Sequence, residues 1–342
     1  MRRNPSEGLT DGRTVGRVLR LAFAFLSVSP TVRLSAQELP LNAGALFLVF
    51  PVGAQAVGMG QTATAAAGRG EAAFWNPAGL ATLSDDEFAL HSASLVAGRS
   101  NVLGAYFPSR GIGVIGGAVY LVDYGDLDRT DVNGNTIARI APRNFEFLAS
   151  YATNLTGSFV FGISYKLVEF RVDCSGDCRD FPAGTGATHA LDLGGQFRVG
   201  PGGPLRIGVA LRNIGFRLQV NNQAQADPLP TRLAIGALYE VRLRPATGRS
   251  LDQAFDVKLA ADVDSPWGQV GQSETRLGVD IGYQRIVRVR AGYAFVQDGL
   301  SGPSVGLGVE SGSLGIDLAR AFLTGSDLQV ESPTFFSFRV TF

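Results

Sequence analysis

The chain has 342 residues, 45% of them hydrophobic and 18% charged, and 44 are glycine. That is apolar enough for a large fold and low in charge for a soluble one. Its 30 basic residues balance its 30 acidic ones, which excludes the basic footprint of a nucleic-acid binder. No stretch has the ~18 consecutive uncharged apolar residues of a spanning helix.

Residues 1–36 read as a signal peptide. Arg13, Arg17 and Arg20 lead into the apolar run Leu21-Ala22-Phe23-Ala24-Phe25-Leu26, and Leu34-Ser35-Ala36 offers a small-residue cleavage site before Gln37. The run is short of the ~20 residues a membrane anchor needs. This segment holds six Arg against Glu7 and Asp11, so the remainder keeps 24 basic and 28 acidic groups, a net charge of −4.

Residues 37–85 follow a different pattern. Gly53-Ala54-Gln55-Ala56-Val57-Gly58-Met59-Gly60 is small and apolar, and Phe74-Trp75-Asn76-Pro77-Ala78-Gly79-Leu80 does not alternate. Such a segment is expected to fold as a hatch inside a lumen, over 41–84. Pro77 lacks a backbone donor and restricts Asn76 to extended conformations, which fixes a bend at Asn76, Pro77 and Ala78 near the wall. The Asn76 amide is then available to satisfy backbone groups.

Residues 86–342 alternate with period two. Thr275, Leu277, Val279, Ile281 and Tyr283 interleave with Glu274, Arg276, Gly278, Asp280 and Gly282, and the segments around 255–263 and 287–295 repeat this. Strict alternation means strands with one apolar and one polar face. The segments are about ten residues long, which suits a tilted membrane-spanning strand better than the ~5–6 of a sandwich. Fourteen strands are expected, at 86–97, 100–107, 112–121, 144–153, 158–169, 187–198, 204–213, 231–243, 254–264, 274–283, 286–296, 303–310, 314–321 and 334–342. Short and long connections broadly alternate, as turns and loops do in outer-membrane barrels. Seven tyrosines fall in strands, mostly near their ends, where aromatic girdles lie. The polar faces carry Asp256, Lys258, Asp262, Glu274, Arg276, Asp280, Arg288 and Arg290, expected to form a ladder of paired charges between wall and hatch.

Other motifs carry less. Gly111-Ile112-Gly113-Val114-Ile115-Gly116 has the letters of a dinucleotide fingerprint, but a strand follows where the chemistry needs a helix N-terminus. Asp131-Val132-Asn133-Gly134-Asn135 reads as a turn before a calcium loop. His91 is expected in the lumen and His189 on the lipid face, and no G-x-S-x-G accompanies them. No enzyme, cofactor or metal site is expected. Cys174 and Cys178, the only cysteines, are either a local disulfide or two free thiols. On the last strand Phe338, Val340 and Phe342 share the apolar face; a terminal aromatic there resembles the assembly signal of bacterial outer-membrane proteins.

The two motifs between Gly53 and Leu80 resemble the start of the PorV/PorQ family, relatives of the FadL long-chain fatty-acid transporters. That resemblance implies a fourteen-stranded barrel with an N-terminal hatch containing Asn76-Pro77-Ala78. It also implies a monomer in the bacterial outer membrane, in contact with lipid and with the barrel-assembly machinery. Two functions follow: a FadL-like conduit for small hydrophobic molecules, or a non-transporting barrel that docks cargo or partner proteins for a type IX-like secretion system.

Overall fold

The structure, a computed structural model, describes residues 44–179, 184–219, 226–243, 255–268, 272–284, 286–296, 299–324 and 332–342. The expected signal peptide, its cleavage site and the first residues of the hatch segment lie outside the described residues, as do 244–254.

The strands are β1 (Glu87–Leu95), β2 (Gly98–Ser109), β3 (Gly113–Asp123), β4 (Leu127–Thr130), β5 (Thr136–Asn154), β6 (Phe159–Gly176), β7 (Gly184–Arg198) and β8 (Leu205–Gly215). They continue as β9 (Arg232–Leu243), β10 (Phe255–Pro266), β11 (Glu274–Tyr283), β12 (Val287–Phe295), β13 (Gly302–Ser311), β14 (Leu314–Ala321) and β15 (Thr334–Thr341). Antiparallel pairing runs strand to strand, and β15 returns to β1 with Glu87 opposite Thr341. β3 also pairs directly with β5, Val114 opposite Ala152. Fourteen strands therefore close a barrel, and β4 stands apart, pairing with the far end of β5 (Leu127 opposite Ile140). Closure leaves none of these fourteen strands at an open edge, which is what hydrocarbon requires of a spanning sheet.

The wall separates its faces by parity. Leu103, Leu259, Leu307 and Val309 point outward and are more than half exposed, whereas Asp280, Arg290 and Asp317 point inward and are buried. That is the expected membrane arrangement: apolar to lipid, polar to the lumen.

Three differences from the sequence reading have physical reasons. β5, β6 and β7 run well past their expected bounds at the loop end, where both faces of a strand meet water and the apolar–polar alternation fades. Tyr106 and Tyr120 are not girdle residues: each is 1% exposed, inside the lumen, where Tyr120 meets the hatch rings of Phe47 and Phe74 and Tyr106 lies against Gly70 of the hatch. The charged ladder is built mainly among wall strands rather than between wall and hatch.

Inside the barrel lie four short elements: the 3-10 turn Leu46–Val49, the helices Ala54–Gly58 and Ala72–Trp75, and the 3-10 helix Pro77–Thr82. These elements and the turns between them pack backbone against backbone on inward glycines of the wall. A Cβ at Gly292 would lie 2.1 Å from Gly60 N, and one at Gly208 would lie 2.3 Å from the Thr64 carbonyl oxygen. Only glycine permits this approach.

Candidate functional site

The lumen has three zones. At the loop end the chain enters beside the β8–β9 connection, where Gly44 N donates to the Pro228 carbonyl (2.9 Å). Phe47, Leu48 and Val52 then join Phe74, Trp75 and Leu80 in an apolar cluster with wall residues Tyr106, Tyr120, Val122, Leu148 and Val168. The rings of Phe47 and Phe74 lie 5.8 and 6.1 Å from Tyr120. Trp75 Nε1 donates to the Val52 carbonyl (2.8 Å), and the Arg212 guanidinium covers the Trp75 ring at 5.4 Å.

The middle zone is a charge network. Arg288 bridges Asp256 (2.7 Å) and Asp280 (2.9 Å), and Arg290 bridges Asp280 (3.0 Å) and Asp317 (2.6 Å). Arg339 continues it from Asp317 to Glu310, and Arg69 of the hatch joins Glu310 to Glu87 of β1. A second group lies nearer the loop end, where β9 and β11 begin and β10 ends, and holds Arg212, Arg232 and Arg276 around Asp264 and Glu274. A third sets Lys166 between Asp192 (2.8 Å) and Glu146 (3.5 Å). Burial of so many charges is tolerable because each meets opposite charge. Of the charges expected from sequence, Asp262 instead accepts from hatch backbone, the amides of Ala63 and Thr64 at 2.8 Å each. Lys258 lines the third zone, a polar vestibule of about 380 Å³ at the turn end, with Arg69, Asp85, Arg206, Glu240 and Glu310.

Glu71 belongs to the hatch, outside the spanning strands. Its Oε1 accepts the Ala56 amide (2.7 Å) and ties two hatch helices together. Burial, helped by nearby Asp317, pushes its carboxyl up to about 8 against the opposing Ala56 hydrogen bond and the charges of Arg290 and Arg339.

The residues singled out from sequence fall as follows. Asn76 is 0% exposed and caps the 3-10 helix that begins at Pro77; its Oδ1 accepts the Ala78 amide (3.1 Å). Its Nδ2 faces three carbonyls, those of Thr64 (2.7 Å), Gly195 (3.2 Å) and Val209 (3.3 Å). Phe338, Val340 and Phe342 share the outer face of the last strand, and the Phe342 ring lies 5.3 Å from Phe88. Cys174 and Cys178 form a disulfide at the loop-end tip of β6. His91 Nδ1 meets Ser337 Oγ at 2.8 Å in the lumen, whereas His189 stacks on Tyr165 on the outer face. Asp131 closes its own turn on Asn133 and Asn135.

Sequence reasoning missed Glu146, Lys166, Asp192, Arg212, Asp264, Asp317 and Arg339 as network members. Their parity was visible: Lys166 lies between Tyr165 and Leu167, and Asp317 between Ile316 and Leu318. Which charges meet depends on interstrand register, which parity does not supply.

No family model matches the chain, and no curated protein sequence matches it. Among solved structures it is similar to the toluene transporter TodX of P. putida, at 14% identity over 85% of this chain and 98% of that one, with a TM-score of 0.54. It is also similar to the CymD monoaromatic hydrocarbon channel, at 16% identity over 85% and 97% of the two chains, with a TM-score of 0.55. Fold and lumen together define a transmembrane β-barrel plugged by its own N-terminal segment. Within that class the fold is the one shared with these two channels.

Proposed function

We propose that this protein is an outer-membrane conduit for small hydrophobic compounds, closed in this conformation by its hatch. The observation that carries the proposal is the aromatic, apolar loop-end half of the lumen. Ion pairs of Arg212, Arg232, Asp264 and Glu274 also reach the loop end, and beside them Phe47, Phe74, Trp75 and Tyr120 offer a hydrophobic compound a place to bind. The likeness to TodX and CymD supports the same reading. A ligand would enter from the loop end, occupy the space now held by Phe47 and Leu48, and pass when the hatch shifts. Phe338, Val340 and Phe342 would then act as the signal read by the barrel-assembly machinery, and Asn76-Pro77-Ala78 as the fixed bend of the hatch.

One observation also suits a non-transporting barrel of PorV/PorQ type that docks secretion partners: the apolar zone is filled by the chain's own side chains. Deleting residues 41–84 and recording in a planar bilayer, with uptake of toluene by proteoliposomes of the intact protein, tests the conduit. A large steady conductance in the deletion variant and saturable uptake by the intact protein are expected. Intact protein that takes up no hydrophobic compound but co-purifies with stoichiometric secreted protein would replace the conduit with the docking barrel.

A further inference from the structure

Between the hatch and the wall, a cavity of about 10 Å³ remains beside the apolar zone, lined by Leu48, Trp75, Tyr120, Glu146, Lys166 and Arg212 among others. That is about the room one water needs. Glu146 Oε1 has its 3.5 Å ion pair with Lys166 but no hydrogen bond, and Arg212 Nε has no hydrogen-bond partner. Glu146 is 1% exposed and Arg212 6%. One is an acceptor and the other a donor, so the same cavity is lined by both halves of an unfilled hydrogen-bonding pair.

The charges around the cavity are divided. On the Glu146 side, Glu146 and Asp192 surround the single cation Lys166, leaving one negative charge in excess. On the Arg212 side, Arg212, Arg232 and Arg276 surround Asp264 and Glu274, leaving one positive charge in excess. The two groups sum to zero, and the cavity is lined by Glu146 and Lys166 from one group and Arg212 from the other.

We propose that this cavity is the head-group subsite of the lumen's ligand, and that the ligand is a neutral amphipath bearing a hydroxyl, such as a phenol or a short aromatic alcohol. The proposal rests on the conduit reading and sharpens its substrate class. The hydroxyl donates to Glu146 Oε1 and accepts from Arg212 Nε–H. The aromatic body replaces Leu48 and Phe47 against Phe74 and Tyr120. A pure hydrocarbon leaves these polar atoms unpartnered. A carboxylate gains Arg212 but meets the excess negative charge at Glu146, and as a buried anion it unbalances a neutral pair of clusters. Vacating the site requires the Leu46–Val49 turn to move, and this turn is entered through Ala45 at φ +52, a strained conformation for a residue with a Cβ.

The test uses the full-length protein in detergent. Trp75 lines the cavity, and the other tryptophan, Trp267, is exposed, so a Trp267→Phe variant reports the site by Trp75 fluorescence alone. It is titrated at pH 7 with three isosteres: p-cresol, toluene and 4-methylbenzoate. p-Cresol should bind about tenfold more tightly than either of the others (~1.4 kcal/mol). Glu146→Gln, added to this background, should shrink that preference, since it removes the charge that strengthens the hydroxyl's hydrogen bond. The three-ligand comparison stands without that variant if it fails to fold. Equal affinity for p-cresol and toluene overturns the subsite, leaving water as the occupant of the cavity, and leaves the conduit intact. Tighter binding of 4-methylbenzoate overturns the neutral head group. Failure of all three to bind overturns the subsite and the conduit together.

Discussion

Gly194 of β7 lies directly against Asn76 of the hatch: a Cβ built on Gly194 would stand 2.0 Å from Asn76 Oδ1. The wall therefore gives the hatch bend a seat that no larger residue can share. Gly194→Ala should displace the bend and destabilise the folded protein by about 1–3 kcal/mol, the usual cost of overpacking. Gly195→Ala is the control, because its added methyl meets chiefly the Phe159 ring, at 3.3 Å. Thermal unfolding of the two variants in detergent checks this; an equal loss at both positions would separate the seat from the hatch.

Asn76 is the nearer of two side-chain donors to the Thr64 carbonyl, at 2.7 Å against 3.2 Å for Gln196 Nε2. Asn76→Asp keeps the shape and the Ala78 cap but replaces the donating amide by an acceptor facing three carbonyls. It should be worse than Asn76→Ala, since it adds a buried charge against oxygen lone pairs. Limited proteolysis of the hatch, with barrel heat-modifiability as the folding control, should show protection falling from the wild type to Asn76→Ala and again to Asn76→Asp.

Glu71 makes hatch stability depend on pH. Its carboxyl is raised to about 8 in the folded protein from about 4.5 in the open chain, so the protonated form is favoured by folding. Its contribution is fully present below about pH 4.5 and is lost as pH rises through about 8. The limiting slope for one proton is about 1.4 kcal/mol per pH unit. Thermal stability should therefore fall between about pH 4.5 and about pH 8, and Glu71→Gln, which keeps the acceptor for the Ala56 amide, should flatten that fall. A wild-type profile as flat as the variant's would mean Glu71 is ionised in the folded state.

Phe342 joins the ends of the barrel. Its backbone exchanges hydrogen bonds with Asp86 (Asp86 N to Phe342 O, 3.2 Å; Phe342 N to Asp86 O, 3.1 Å), and its ring packs on Phe88. Phe342→Ala should lower the yield of heat-modifiable barrel several-fold while leaving the stability of protein that does fold within about 1 kcal/mol, because exposed side chains contribute little once the seam is closed. Unchanged yield in cells would assign the aromatic a packing role alone.

The barrel was legible in the order of residues alone. Period-two alternation over about ten residues dictates which side chains face lipid and which face inward, because a pleated strand has no other way to place them. It located the fourteen spanning segments, the outward Phe338 and Val340 and the lumenal His91. The failure of alternation before residue 86 marked the segment that lies in the lumen, and Pro77 marked its bend. What the alternation left open is everything that depends on which strand lies opposite which. Glu146 meets Lys166 through the β5–β6 register, and Arg212 meets Asp264 across β9, a strand that lies between them. Tyr106 and Tyr120 point inward on the same parity rule that put other tyrosines in the girdle, but only the hatch, through Gly70 against Tyr106 and Phe47 and Phe74 against Tyr120, makes a place for them. The meeting of Glu146, Lys166 and Arg212 at one cavity arises from closure of the ring around a plug of particular shape, a relation between distant segments that no local pattern encodes.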